Sequence, residues 1–163
     1  ACHKLNIIWR SDLRKKLKIR LFTATVESVL LYGSETWTLD KRLTKMLNGC
    51  YTRMLRMVLG VKWQQHMTNS VLYSGLPKVS SKIAQRRLKL SGHIHRHPEV
   101  TANKLLLWEP LHGKARRGRP PLTFIDSLRS DTGLKSSKEI GDLMSNRAEW
   151  RNVVNSAREH FPT

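Results

Sequence analysis

The stretch Lys41–Pro98, KRLTKMLNGCYTRMLRMVLGVKWQQHMTNSVLYSGLPKVSSKIAQRRLKLSGHIHRHP, contains no Asp or Glu. Its cations, Lys41, Arg42, Lys45, Arg53, Arg56, Lys62, Lys78, Lys82, Arg86, Arg87, Lys89 and Arg96, are interleaved with apolar residues at helical spacing. A solvated helix face normally mixes both signs, and a face of one sign repels itself unless a polyanion lies across it. The stretch therefore reads as a basic helical surface for a phosphate backbone, with the rest of the chain as its support.

Within it, Asp40 is a good N-cap and Gly60 a C-terminal stop. They predict a helix over 41–59 that buries Leu43, Met46, Leu47, Cys50, Met54, Leu55 and Val58, the Met and Cys side chains serving as core filler rather than as ligands. A short helix is expected from Asn69 through Tyr73, closed by Gly75 and Pro77, and a longer one over 80–94 with Ile83, Leu88, Leu90 and Ile94 inward. Lys82, Arg86 and Lys89, spaced by four and three residues, share one face of that helix. Trp63, in a polar turn, is placed either to stack on a base or to pack on its own domain. His93, His95 and His97 form an HxHxH run. Residues two apart on a helix point about 200° from one another, and no further ligand lies at metal spacing, so a phosphate-friendly helix end is expected there rather than a metal site.

Outside the stretch, Ser11 and the rhythm of Leu13, Leu17, Leu21, Phe22, Val26, Val29 and Leu30 predict a helix over 12–32, stopped by Gly33 and Ser34. Lys15, Lys16, Lys18 and Arg20 in its first half are a solvated face or phosphate contacts. A helix over 100–108 carries Leu105, Leu106 and Leu107 and ends at Pro110. The composition then changes to His112, Gly113, Lys114, Arg116, Arg117, Gly118, Arg119, Pro120 and Pro121, which cannot build a core. Three short helices follow, starting near Thr123, Ser136 and Asn146, and acids return among them. No strand pattern competes, so the expected fold is all-α: a basic helical bundle over 1–110, a Gly/Pro linker arm over 111–122, and a small, nearly charge-balanced helical unit over 123–163.

The net charge of +18 and pI near 10.7 over 163 residues point to a polyanionic partner. No apolar run is long enough to span a bilayer, and the cations are spread rather than set beside an anchor, so no membrane partner is expected. Cys2 and Cys50 form no CxxC pair, which fits a reducing intracellular setting, nuclear for a nucleic-acid binder. The chain begins with Ala1, as a piece of a longer reading frame or a processed start would. It contains no HExxH, GxSxG or Gly-rich phosphate loop, and no paired carboxylates in the basic stretch; neither a catalytic residue nor a cofactor or metal is nominated. Arg117-Gly118-Arg119-Pro120 resembles an AT-hook core, whose arginines would follow an A·T-rich minor groove, and equally fits a plain basic linker.

Leu31-Tyr32-Gly33-Ser34-Glu35-Thr36-Trp37-Thr38-Leu39, Leu55-Arg56 with Leu59-Gly60-Val61, Arg86-Arg87-Leu88 with Gly92-His93, Gly118-Arg119-Pro120, and Arg147 with Trp150-Arg151 resemble, in order and approximate spacing, the C-terminal part of non-LTR (LINE-type) retrotransposon reverse transcriptases. The resemblance runs from about Ile19 to Val153. It implies a thumb-like bundle lying after the polymerase palm, gripping a template and primer duplex. RNA-directed DNA polymerase activity would then belong to the parent polyprotein, through palm residues preceding Ala1. The nucleic-acid-binding residues nominated are Lys41, Lys45, Arg53, Arg56, Lys82, Arg86, Arg87 and Lys89, with Arg116, Arg117 and Arg119 of the arm; the partners expected are an RNA–DNA hybrid or duplex DNA and the missing palm. Rival readings are a domesticated DNA-binding or chromatin protein acting through the arm, and a retrotransposon remnant without function.

Overall fold

The computed structural model describes residues 2–109 and 122–157. Among them the fold is all-α, with no strand, and no helix is long and apolar enough to cross a membrane. A 3-10 turn, Cys2–Leu5, leads into α1 (Asn6–Arg10), whose Trp9 is buried and donates from Nε1 to the Cys2 carbonyl. The expected helix over 12–32 is three consecutive pieces: α2 (Lys15–Phe22), a π turn (Thr23–Glu27) and α3 (Ser28–Leu30). The wider π turn re-phases the helix, so Val26 and Glu27 turn inward while Val29 is 68% exposed.

Helix α4 (Lys41–Val58) starts where Asp40 Oδ1 accepts from the Leu43 N–H at 2.7 Å, and the chain leaves it through Gly60 at φ 65°. Its buried stripe differs from the expected one. Tyr51, Leu55 and Val58 point inward, whereas Leu43, Met46 and Cys50 are exposed, because the neighbouring helices pack against the side of α4 that Tyr51 occupies. A 3-10 turn at Trp63–Gln65 and α5 (Asn69–Tyr73) follow, then α6 (Val79–His95), α7 (Thr101–Leu106), α8 (Phe124–Thr132), α9 (Ser137–Ser145) and α10 (Arg147–Ser156). Thr123 and Asp126 close a reciprocal capping box at α8, Ser136 caps α9, and Asn146 caps α10 by accepting from the Ala148 and Glu149 N–H groups.

Helix α6 is shared by two apolar cores. Val79 and Ile83 at its start pack with Trp9, Phe22, Leu31, Tyr51, Leu55 and Leu72. Leu88, further along, packs with Leu106, Ile125, Leu128, Ile140, Met144, Trp150 and Val154. Each of these large side chains contributes roughly 1.5–3 kcal/mol by leaving water. The apolar side chains thus divide within α6, around residues 83–88, and not at the expected linker: α8, α9 and α10 complete a core begun by Leu88 and Leu106 rather than forming a separate unit. At the join, Gly92 lies under the Trp150 indole, whose Nε1 donates to the Leu88 carbonyl at 2.9 Å.

Candidate nucleic-acid interface

The nominated cations do not share one fate. On α4, Lys41 and Lys45 stand one turn apart on the rim of a cleft that Asn48 and Thr52 continue along the same stripe, with Ser80 and Arg87 of α6 across from them. Arg53 is exposed on the neighbouring stripe, with Arg42 eleven residues earlier on the same side. Arg56 is half-buried and holds the following turn in place, its Nη2 donating to the Met67 carbonyl at 2.7 Å and to Asn69 Oδ1 at 3.0 Å. Arg86 is exposed but tethered: it donates to the Leu31 carbonyl at 2.7 Å and stands 4.0 Å from Glu35. Lys89 is exposed. Arg116, Arg117 and Arg119, and with them the AT-hook-like motif, lie outside the described residues.

Lys82 and Arg87 are corrections. Lys82 Nζ donates to Glu27 Oε2 at 2.6 Å and to the Tyr51 hydroxyl at 3.1 Å, while the Tyr51 hydroxyl donates to the same carboxylate. Burial and the adjacent Glu27 hold the Tyr51 phenol well above its ordinary pKa, so it stays a donor. Arg87 is buried, donating through Nη1 to Asp131 Oδ2 at 2.6 Å and through Nη2 to the Trp37 carbonyl at 2.8 Å. Burial pushes the Asp131 carboxyl up to about 6, with the Arg87 guanidinium pulling the other way. The basic stretch lacks acids of its own, but Glu27 and Asp131 reach into it from either end of the chain.

The expected single basic surface is likewise corrected. Arg87 and Lys89 are two residues apart and so point about 200° from one another around α6. Ser80 and Arg87, on one side, face the cleft with Lys41 and Lys45. Lys89 and Arg96, on the other, line a second cleft of about 200 Å³ against α10, with Arg147, Trp150, Arg151, Val154 and Asn155. Arg96 Nη1 donates to the Met144 carbonyl at 2.8 Å, which fixes its guanidinium at the cleft wall. No carboxylate lines this second cleft among the described residues.

Sequence reasoning missed Arg96, Arg147 and Arg151 as site residues, because the charge balance of 123–163 hides where its acids go. Asp131 is spent on Arg87, and Asp126 on Arg129 and the Thr123 cap. The signal available was the four-residue spacing of Arg147 and Arg151, which puts both on one face of α10. Among the described residues, the Lys and Arg side chains in ion pairs are Lys82, Arg86, Arg87 and Arg129; Lys41, Arg42, Lys45, Arg53, Lys89, Arg147 and Arg151 are exposed without one.

The His run does not converge. His93 and His97 have ring centroids 4.4 Å apart with the planes tilted by 50°, His97 Nδ1 meets Glu99 at 2.8 Å, and His95 Nε2 lies 3.3 Å from Ser145 Oγ. No group of three His, Cys, Asp or Glu side chains suited to a metal occurs among the described residues. Trp63 is 79% exposed, so its ring is free of its own domain.

No protein-family model matches the chain, and no solved structure matches it. A protein of Caenorhabditis elegans described as uncharacterized and transposon-derived is 28% identical over 159 residues, which cover 87% of this chain and 57% of that protein. The chain spans little more than half of that relative's length, and the likeness fits a transposon-related origin.

Proposed function

We propose that this chain is a nucleic-acid-binding helical module of a non-LTR retrotransposon reverse transcriptase, from the region that follows the palm, and that it holds a template–primer duplex by sequence-independent phosphate contacts. The observation that carries the reading is the α4 surface: Lys41, Arg42, Lys45 and Arg53 are exposed along one side of a capped helix, with no carboxylate paired to them among the described residues. Four cations held on a rigid helix supply position and charge without reading bases. The ordered series of short motifs and the transposon-derived relative support the parentage. Polymerase chemistry belongs, on this reading, to the parent protein, and this segment contributes grip.

The test is charge reversal. K41E/K45E/R53E weakens binding to A·T-rich and G·C-rich duplexes alike, measured by fluorescence anisotropy. Unchanged affinity for both overturns the reading; where the binding that persists prefers A·T-rich duplex, the function moves to the arm containing Arg116, Arg117 and Arg119, and a loss confined to one sequence points to base readout by α4.

A further inference from the structure

We infer that the cleft between α6 and α10 is a second phosphate site, separate from the α4 surface, and that it takes the backbone of a single nucleic-acid strand. This rests on the proposed function for the class of ligand, and adds where and how a second segment is held. Each wall brings two cations: Lys89 on α6 with Arg96 just past its end, and Arg147 and Arg151, one turn apart on α10. Among the described residues no carboxylate lies between the walls, so the four cations together draw an anion into the cleft.

The size and lining narrow the ligand. At about 200 Å³ the cleft is below the roughly 300–1,000 Å³ of small-molecule and cofactor pockets. It is also too small for a double helix, whose major groove alone is about 12 Å wide. A phosphate with its flanking sugar is the unit that such a space admits. The Trp150 indole in the wall is 3% exposed and its N–H is already given to the Leu88 carbonyl, so it offers neither a free ring face nor a donor to a base. Contact is therefore with phosphate and not with sequence. Because Arg87 and Lys89 face opposite ways on α6, a straight duplex lying on α4 beside the first cleft does not also enter the second. The chain can thus hold a duplex and a separate strand together.

R147Q/R151Q tests this, since both side chains are exposed and the change is neutral to packing; circular dichroism checks the fold. The probes are a labelled oligothymidylate and a labelled blunt duplex. For the variant, oligothymidylate affinity falls at least tenfold at low salt, and its salt slope drops by about 1.4 for two lost phosphate contacts on single strands. Duplex affinity stays within twofold. K41Q/K45Q/R53Q gives the opposite pattern, and unlabelled duplex does not displace oligothymidylate from the wild-type chain. Unchanged oligothymidylate binding in R147Q/R151Q overturns the inference, as does equal loss of both probes or full competition between them. Absence of duplex binding by the wild-type chain is a different result, and overturns the proposed function itself.

Discussion

Removing the Asp131 carboxylate asks whether Arg87 ties the fold together or reaches for a ligand. The two side chains are 5% and 4% exposed and lie 2.6 Å apart. Asp131→Ala leaves a buried guanidinium with no acceptor for Nη1 as well as no counter-charge, a change that costs about 3–5 kcal/mol, against about 0–1 kcal/mol for an exposed pair. That is a large share of the roughly 5–15 kcal/mol that holds a domain folded. With a urea m-value of about 2 kcal/mol/M, the unfolding midpoint falls by about 1.5–2.5 M. Asp131→Asn costs little near neutral pH, since its amide oxygen still accepts from Nη1 and it removes a carboxylate charge that burial disfavours. The double variant R87M/D131L, which replaces the pair by apolar groups, is neutral or stabilising. It also keeps wild-type duplex affinity, because Arg87 is buried at the cleft wall with both Nη groups already given to Asp131 and the Trp37 carbonyl. A shift below about 0.5 M for Asp131→Ala, or lost duplex binding by a folded R87M/D131L, refutes the assignment of Arg87 as an internal tie.

Three further outcomes follow from the same packing. The Asp131 carboxyl is raised from 3.8 to about 6 by burial, so the folded chain holds that proton more tightly than the unfolded one; its stabilising contribution is full below 3.8 and is lost as pH rises through about 6. Wild type therefore gains stability relative to Asp131→Asn as pH is lowered from about 7.5 to about 5, read by urea unfolding of both; a difference that shrinks contradicts it. Gly92→Ala places a Cβ 2.2 Å from Trp150 Nε1, forcing α10 away from α6 at about 1–3 kcal/mol; thermal unfolding and Trp fluorescence detect it, and an unshifted Tm contradicts it. Glu27→Ala strips Lys82 and Tyr51 of their shared acceptor, costing about 3–5 kcal/mol in the same assay, whereas an exposed cation such as Lys45 tolerates Gln within about 0.5 kcal/mol.

Local chemistry was legible from the sequence where a side chain acts on its own neighbourhood. Asp40, Ser136 and Asn146 each announce a helix because an oxygen-bearing side chain precedes an apolar rhythm, and each caps one. The Thr123 and Asp126 box was equally readable as a pattern, though only the start near Thr123 was expected. What could not be read is long-range pairing. Lys82 meets a carboxylate 55 residues away and Arg87 one 44 residues away, and neither separation leaves a mark on spacing or composition. The stripe of α4 was misplaced for a related reason: Leu43, Met46 and Cys50 have the right period but the wrong side, and only the packing around Tyr51 selects the side. The short motifs that carry the family resemblance touch one another, Arg86 and Arg87 binding the Leu31 and Trp37 carbonyls and Gly92 seating Trp150. Part of that series therefore maintains the fold, and exposed cations lie beside it.

The salt dependence of duplex binding tests the central claim most directly. For four phosphates neutralised by Lys41, Arg42, Lys45 and Arg53, the logarithm of the affinity falls with slope about −3.6, or about 150-fold between roughly 50 and 200 mM salt, whatever the sequence. In K41E/K45E/R53E the slope is shallower by about 3, one for each cation removed. An affinity that stays flat over that range, or a slope that the variant leaves unchanged, contradicts the account.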